Sequence, residues 1–386
     1  MARLRLLMLN YEFPPIGGGA GGAHLSLLQE YAQAADLQVD VLTSGVGQGV
    51  AAESFAENIT IYRVGLNKPD LHCWQRSEVL QWLWRARGFY RSLLRQQSYD
   101  LVHAFFGFPT GWLCYRTATK VPYVISLRGS DVPGQNSRLK FDYAILGALV
   151  FKPIWRNAAV LVACSEGLRD RALRFLPTVD VQVIPNGVDL KRFHVRPERR
   201  SLSAGSCQLL TVGRLSSTKR VDLLIRALGR LHKENCPVHL TVVGGGSLEQ
   251  TLRDQIQAAD LSDQVTLLGR VEREDMPEIY GSHDILVSAT LQEGMSNAML
   301  EAMASGLPIL TTPCEGVDEL VSDNGIVLDE ATDEAMAEAV TALVSDPTRY
   351  ARMAQQARVR AEAFTWKAVA DQYCNCYQTV LDGGSR

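Results

Sequence analysis

A guanidinium and an ammonium five residues apart, Arg214 and Lys219, sit between an apolar run, Leu209–Val212, and a helical pattern, Val221–Leu231. Cations placed there, behind Gly213 at the carboxyl end of a strand, suit a diphosphate: Arg grips phosphate oxygens as a fork and Lys adds a point charge. Further on, Thr290–Pro308 reads as a strand end, a loop carrying Glu293-Gly294, and a helix from Asn297 closed by Gly306 and Pro308. The amides of Met295, Ser296 and Asn297 would face an anion with the helix dipole behind them. Glu293 stays in the loop and Glu301 lies in the helix, so the two carboxylates can serve different parts of one ligand. Each feature alone has a plainer reading. Arg and Lys decorate most strand–helix loops, and two Glu at a helix start complement its dipole on a solvated face. Together they suit a nucleoside diphosphate that carries a sugar.

Two glycine loops offer backbone instead of charge. Val243-Gly244-Gly245-Gly246-Ser247 joins a strand to a helix, either for close approach to a ligand or for a tight turn. Near the start, the strand Arg5–Asn10 runs through Pro14, Pro15 and Gly17–Gly22 into a helical pattern, His24–Ala34. Gly17, Gly19 and Gly22 fit G-x-G-x-x-G with Asp40 following, which keeps an NAD-dependent oxidoreductase as an alternative. The two prolines lengthen the turn, whereas that fingerprint needs its glycines directly after the strand. A flexible loop whose amides approach an anion or sugar fits better.

These loops need a scaffold, and the rest of the chain supplies one. Short apolar runs alternate with helical stretches: Arg5–Asn10, Val39–Thr43, Ile59–Val64, Leu101–Ala104, Tyr123–Ser126, Val160–Ala163 and Val181–Ile184, then Leu209–Val212, Leu240–Val243, Val265–Leu268, Ile285–Ser288 and Ile309–Thr311. Near-continuous apolar strands between helices predict parallel sheets covered on both faces. The two series meet at Ile184–Asp189 and the basic run Lys191–Arg200, which predicts domains of 1–190 and 191–365. Charge divides at the same place. Residues 1–190 hold 19 Lys/Arg against 15 Asp/Glu, and residues 191–386 hold 20 against 27. The net charge of -3 argues against a nucleic-acid binder. An apolar content of 46% is that of a globular chain, and no apolar run reaches the roughly 18 residues of a spanning helix. The start lacks a cleavage site, and the eight cysteines lack metal-ligand spacing, which together predict a cytoplasmic enzyme with reduced thiols.

At this point the chain resembles glycosyltransferase family 4, the retaining enzymes of the GT-B fold, along nearly its whole length. Glu293 and Glu301 stand at that family's E-x7-E spacing, and Gly213-Arg214 with Lys219 match its diphosphate-binding Arg and Lys. The resemblance implies two Rossmann-like domains facing each other across a cleft, with a terminal helix from about 366 to 386 returning to the first. It implies that Arg214 and Lys219 neutralise the donor diphosphate, Glu301 holds the ribose and Glu293 the sugar hydroxyls. Gly294 and the Met295–Asn297 amides would contact phosphate and sugar, Gly245 would line the loop beside them, and the backbone at Arg270 and Val271 would meet the base. Gly18 and Gly19 would close on the diphosphate or acceptor, and His103 would flank the donor sugar. Two departures stand out. Glu293-Gly294-Met295-Ser296 replaces the family's Glu-Gly-Phe-Gly, and Arg128-Gly129-Ser130-Asp131 replaces its His-Gly-x-Asp, which leaves Arg128 and Asp131 as weaker acceptor candidates. No D-x-D signature is evident, so neither metal nor cofactor is expected. A non-catalytic nucleotide-sugar-binding relative is the remaining alternative.

One segment lies outside this set. From Lys68 to Ser98 there are six Lys/Arg and two Asp/Glu, among Trp74, Trp82, Trp84, Phe89 and Tyr90. A basic helix with Trp and Leu reads as an interfacial membrane element, which would favour a lipid-linked saccharide acceptor. The competing reading is an ordinary surface helix with buried aromatics and solvated arginines.

Overall fold

The computed structural model describes residues 3–134, 146–196, 202 and 206–383, which fall into two compact units. One comprises Met1–Asn186 with Trp366–Arg386, and the other Gly187–Thr365. The division lies within the stretch Ile184–Asp189, a few residues before the expected 190. The end of the basic run, 197–200, and the last three residues, 384–386, lie outside the described residues.

The first unit holds an eight-stranded sheet: β1 (Leu4–Asn10), β2 (Leu37–Val46), β3 (Val50–Ala56), β4 (Ile59–Leu66), β5 (Leu101–Phe105), β6 (Tyr123–Ser126), β7 (Val160–Ala163) and β8 (Val181–Val183). Their order is β3-β4-β2-β1-β5-β6-β7-β8, parallel except where β3 pairs with β4. Leu6, Met8, Val39, Val41 and Phe105 pack in one core with Trp366, Tyr373 and Tyr377 from the terminal helix Trp366–Gly383. The second unit holds β9 (Cys207–Val212), β10 (Val238–Val243), β11 (Val265–Gly269), β12 (Ile285–Ser288), β13 (Ile309–Thr311) and β14 (Gly325–Val327), in the order β11-β10-β9-β12-β13-β14. Its core gathers Leu209, Leu240, Val265, Ile285 and Leu310 with Leu224, Ile225 and Leu228 of the helix Val221–Lys233. Central strands such as β5 and β7 are buried at every residue, whereas the edge strand β11 alternates. That is why interior strands read as unbroken apolar runs.

Two strands have no counterpart in the sequence reading. β3 is Ala, Glu and Ser as much as Val, and lies mostly exposed, so no apolar period marks it. It forms by pairing antiparallel to β4. β14 is three residues long and starts at Gly325, whose missing side chain lets it lie against β13: a Cβ there would come within 2.3 Å of the Ile309 carbonyl. The first helix also begins earlier than expected, spanning Gly19–Tyr31. Glycine lowers helix propensity by about 1 kcal/mol per residue, which hides such a start.

In each sheet the strand order reverses beside the first strand, between β1 and β5 and between β9 and β12. Loops leaving the carboxyl ends of these four strands open the crevices where open α/β sheets take ligands.

Candidate active site

In the second unit, the loop after β9 carries Gly213, Arg214 and Lys219, and the loop after β12 carries Glu293, Gly294, Met295 and Ser296. The two loops are bonded to each other: the Leu291 N–H donates to the Thr218 carbonyl at 2.8 Å. Lys219 Nζ donates to Glu293 Oε1, with both side chains only a quarter exposed or less. Gly213, Lys219, Glu293 and Ser296 line one pocket. Arg214 lies exposed beside it, and its guanidinium makes no ion pair among the described residues. Ser296 caps the helix Asn297–Ala304, its hydroxyl accepting from the Met299 N–H at 3.3 Å. The third loop of this end, after β10, interlocks with the first. Leu215 N–H donates to the Gly245 carbonyl at 3.0 Å, and a Cβ on Gly244 would lie 1.9 Å from the Gly213 carbonyl. Gly244 has φ +133°, so both its space and its backbone exclude other residues. The Arg270 side chain covers Gly245, where a Cβ would meet its Nε at 2.9 Å. Val271 follows, half-buried, beyond the end of β11.

Glu301 has different company. It lies one turn into the helix, against the Tyr280 hydroxyl, with Arg273 and Arg192 nearby. Burial pushes its carboxyl up to about 7, and Tyr280 and the two guanidinium groups only partly offset that. Arg192 is held by its own bond to the Arg273 carbonyl. So the two acids are separated in kind: Glu293 is paired with a lysine, and Glu301 is a buried carboxyl that ionises near neutrality. Cys314, between β13 and the next helix, is pushed up to about 12, mainly by burial and then by Glu293, so its thiol stays neutral.

The first unit arranges its loops differently. Gly17, with φ +103°, donates its N–H to the Leu71 carbonyl at 2.8 Å. Gly18 is the N-cap of the first helix and Gly19 its first residue, both exposed, and a Cβ on Gly18 would touch nothing within 4 Å. Asp131 is buried, and its carboxylate accepts from the Gly107 N–H at 2.7 Å and the Arg128 N–H at 2.8 Å. Arg128 donates to Asn186 Oδ1 at 2.9 Å and lies over the Phe105 ring. His103 is fully buried, with Nδ1 2.7 Å from the Tyr377 hydroxyl and Nε2 2.7 Å from the Ser126 hydroxyl. Burial holds its imidazole well below the ordinary histidine range, with His24 and Arg128 adding to the effect.

Residues 17–192 match the family described as Glycosyltransferase Family 4, and residues 197–360 match Glycosyl transferases group 1. The chain belongs to glycosyltransferase family 4. It is 24% identical to an uncharacterized glycosyltransferase of Methanocaldococcus jannaschii, over 98% of this chain and 99% of that one. Sucrose-phosphate synthase from Thermosynechococcus elongatus has the same fold, with a TM-score of 0.84 at 19% identity over 99% of this chain and all of that one. Anabaena HepE in complex with UDP and glucose gives a TM-score of 0.73 at 19% identity over 98% and 100% of the two chains. These likenesses make the fold GT-B, built from two parallel-sheet domains.

Three sequence expectations need correction within this family frame. His103 does not present a ring nitrogen to a ligand, because both nitrogens are occupied inside the core by Tyr377 and Ser126; a histidine in the middle of a fully buried strand is held by packing. Asp131 spends its carboxylate on two backbone amides, which makes it a clamp between the loops after β5 and β6. The dinucleotide alternative fails at Asp40, which is buried inside β2 and accepts the Tyr99 hydroxyl at 2.6 Å. The structure also adds residues the sequence did not single out. Arg273, Arg192 and Tyr280 surround Glu301, and Gly316, at φ +77°, packs where a Cβ would lie 2.8 Å from the Gly294 carbonyl. Arginines in loops carry no spacing signal, and Gly316 belongs to no motif read from the sequence.

Proposed function

We propose that the chain is a retaining, metal-independent hexosyltransferase that moves a hexose from a UDP-sugar to a hydroxyl of a saccharide or lipid-linked saccharide. The observation that carries this reading is the meeting of Lys219 and Glu293 at the β9/β12 switch point, beside exposed Arg214 and the capped helix at Ser296. In this reading Arg214, Lys219 and the helix N-terminus take the leaving diphosphate, Glu293 takes sugar hydroxyls, and Glu301 takes the ribose. Gly213, Gly245 and Gly294 admit the phosphates close to backbone, and Arg270 with Val271 flanks the base. The preference for UDP and a glucose-like sugar is supported by HepE, a protein of like fold that binds UDP and glucose.

The acceptor oxygen bonds to the anomeric carbon as the bond from that carbon to the phosphate oxygen breaks, and the nucleoside diphosphate departs with the electron pair. The acceptor proton passes to a phosphate oxygen on the same face, which preserves the anomeric configuration without a protein nucleophile. Two side-chain cations and oriented amides stabilise the departing charge, a contribution typically worth about 10²–10³ in rate per donor. A thermal-shift panel of UDP-, GDP- and ADP-hexoses, followed by turnover in EDTA and NMR of the product anomer, tests it. UDP-sugar stabilisation, EDTA-resistant turnover and a retained anomer are expected. A GDP-mannose preference would overturn the donor, loss of turnover in EDTA the metal independence, and an inverted anomer the stereochemistry.

A further inference from the structure

The helix Arg76–Gln96 buries Glu78, Trp82, Ala86, Tyr90 and Leu93. At 100° per residue these lie on one side, and Arg76, Leu80, Trp84, Arg87, Arg91 and Arg95 share the opposite arc. That arc contains four arginines and no acid. Between them stand two outward apolar side chains one turn apart, Leu80 at 56% and Trp84 at 76% exposure. The aromatic residues of this segment have therefore divided: Trp82 and Tyr90 are core, Phe89 packs on Tyr62, and Trp84 faces out.

Next to this arc, a cavity of about 270 Å³ lies between the helix and the shorter helix Thr110–Tyr115. Arg87, Arg91 and Arg116 line it with Trp112, and no carboxylate does. Tyr90 and Thr117 satisfy each other through a 2.8 Å hydroxyl pair, and Arg116 lies 5.7 Å over the Trp112 ring. The guanidinium groups of Arg87, Arg91 and Arg116 make no ion pair among the described residues. Three such groups about one aromatic-walled cavity, several times the roughly 30 Å³ of one water, match a phosphodiester.

We propose that this face docks on an anionic bilayer, with Leu80 and Trp84 at headgroup depth and one lipid phosphate seated between Arg87, Arg91 and Arg116. Charge complementarity selects the occupant: a stripe with four arginines flanking an exposed Trp and Leu is the chemistry of an interfacial helix. The site lies within the first unit and does not depend on the donor assignment.

The full chain is sedimented with vesicles of phosphatidylcholine alone and with phosphatidylserine added, while quenching of tryptophan by brominated lipid is recorded. Wild type should bind only the anionic vesicles and show quenching that Trp84→Phe loses. Arg87→Glu with Arg116→Glu should abolish binding, and a single Arg116→Gln should weaken it about fivefold, the equivalent of the roughly 1 kcal/mol each basic side chain contributes near such a surface. Arg253→Gln, on the other unit, should change nothing. These side chains are exposed, so an unchanged thermal melt verifies folding. Equal binding by wild type and the double Glu variant would overturn the proposal. So would stabilisation by inorganic phosphate, lost in Arg116→Glu, in a chain that ignores vesicles; that outcome would assign the cavity to a soluble phosphate ester.

Discussion

The two units share an architecture and use it in opposite ways. Each places two loops at a strand-order reversal, β1 with β5 and β9 with β12. In the second unit those loops bring charged side chains together at the surface: Lys219 meets Glu293, with Arg214 exposed beside them. In the first unit the polar side chains nearest the reversal, on β5 and in the loop after β6, are consumed internally. Asp131 holds two amides, Arg128 holds Asn186, and His103 is locked between Tyr377 and Ser126. What the first unit offers at its reversal is bare backbone at Gly18 and Gly19. One crevice thus presents charge and the other bare backbone.

Lys219→Ala is the strongest way to break this comparison. Turnover should fall by roughly 10²–10³ while the melting temperature moves little, because the lysine is partly exposed and its pair with Glu293 contributes little to stability. Initial rates within threefold of wild type would remove the charge-built crevice. His103→Ala should do the reverse. Emptying its site orphans the Tyr377 and Ser126 hydroxyls and leaves a cavity, for a loss of about 3 kcal/mol in urea unfolding. Nucleoside diphosphate affinity, measured by calorimetry, should stay within twofold; a large affinity loss with intact stability would return His103 to the site.

Glu301 gives a pH test of intermediate size. Its carboxyl is raised from the ordinary 4.5 to about 7, so the folded chain keeps a proton that the unfolded chain has released. Stability should therefore fall as pH rises from 4.5 to 7 and level off above that. If the ionised form accepts ribose hydroxyls, donor affinity should rise about tenfold between pH 6 and pH 8, following the ionised fraction of a group with this pKa. Glu301→Gln should flatten that profile, and a profile unchanged in the variant would place the titration elsewhere. The smallest effect is expected at Gly18→Ala. A Cβ there meets nothing, and Ala is a poorer N-cap than Gly, so the substitution should cost only about 0.5–1 kcal/mol of stability. Its Michaelis constant for donor should rise nonetheless if backbone approach matters, and kinetics indistinguishable from wild type would mean that this loop does not close on the ligand.

Much of the fold was legible because parallel strands covered on both faces must be apolar throughout. Tyr123–Ser126, Val160–Ala163, Ile285–Ser288 and Ile309–Thr311 have the bounds read from the chain. β3 was invisible because an exposed edge strand needs only backbone pairing. In the candidate site, Glu293 and Lys219 were named separately and do meet. Arg273, Arg192 and Tyr280 went unnoticed because residues far apart in sequence converge on Glu301 only through the packing of several loops.

By itself the sequence determined the alternation of strands and helices, the glycine turns, and the residue types available at each loop, since these depend on local propensity and apolar periodicity. Tertiary structure alone decided which of those residues stay accessible at the surface. Asp131 and His103 have the chemistry of site residues, and burial against backbone amides and the terminal helix takes that chemistry away from solvent. Trp84 and Trp82 are two residues apart and chemically identical, yet helix geometry sends one to the core and the other to the surface. Side-chain type sets what a residue can do, and the packing around it sets whether anything outside the protein can reach it.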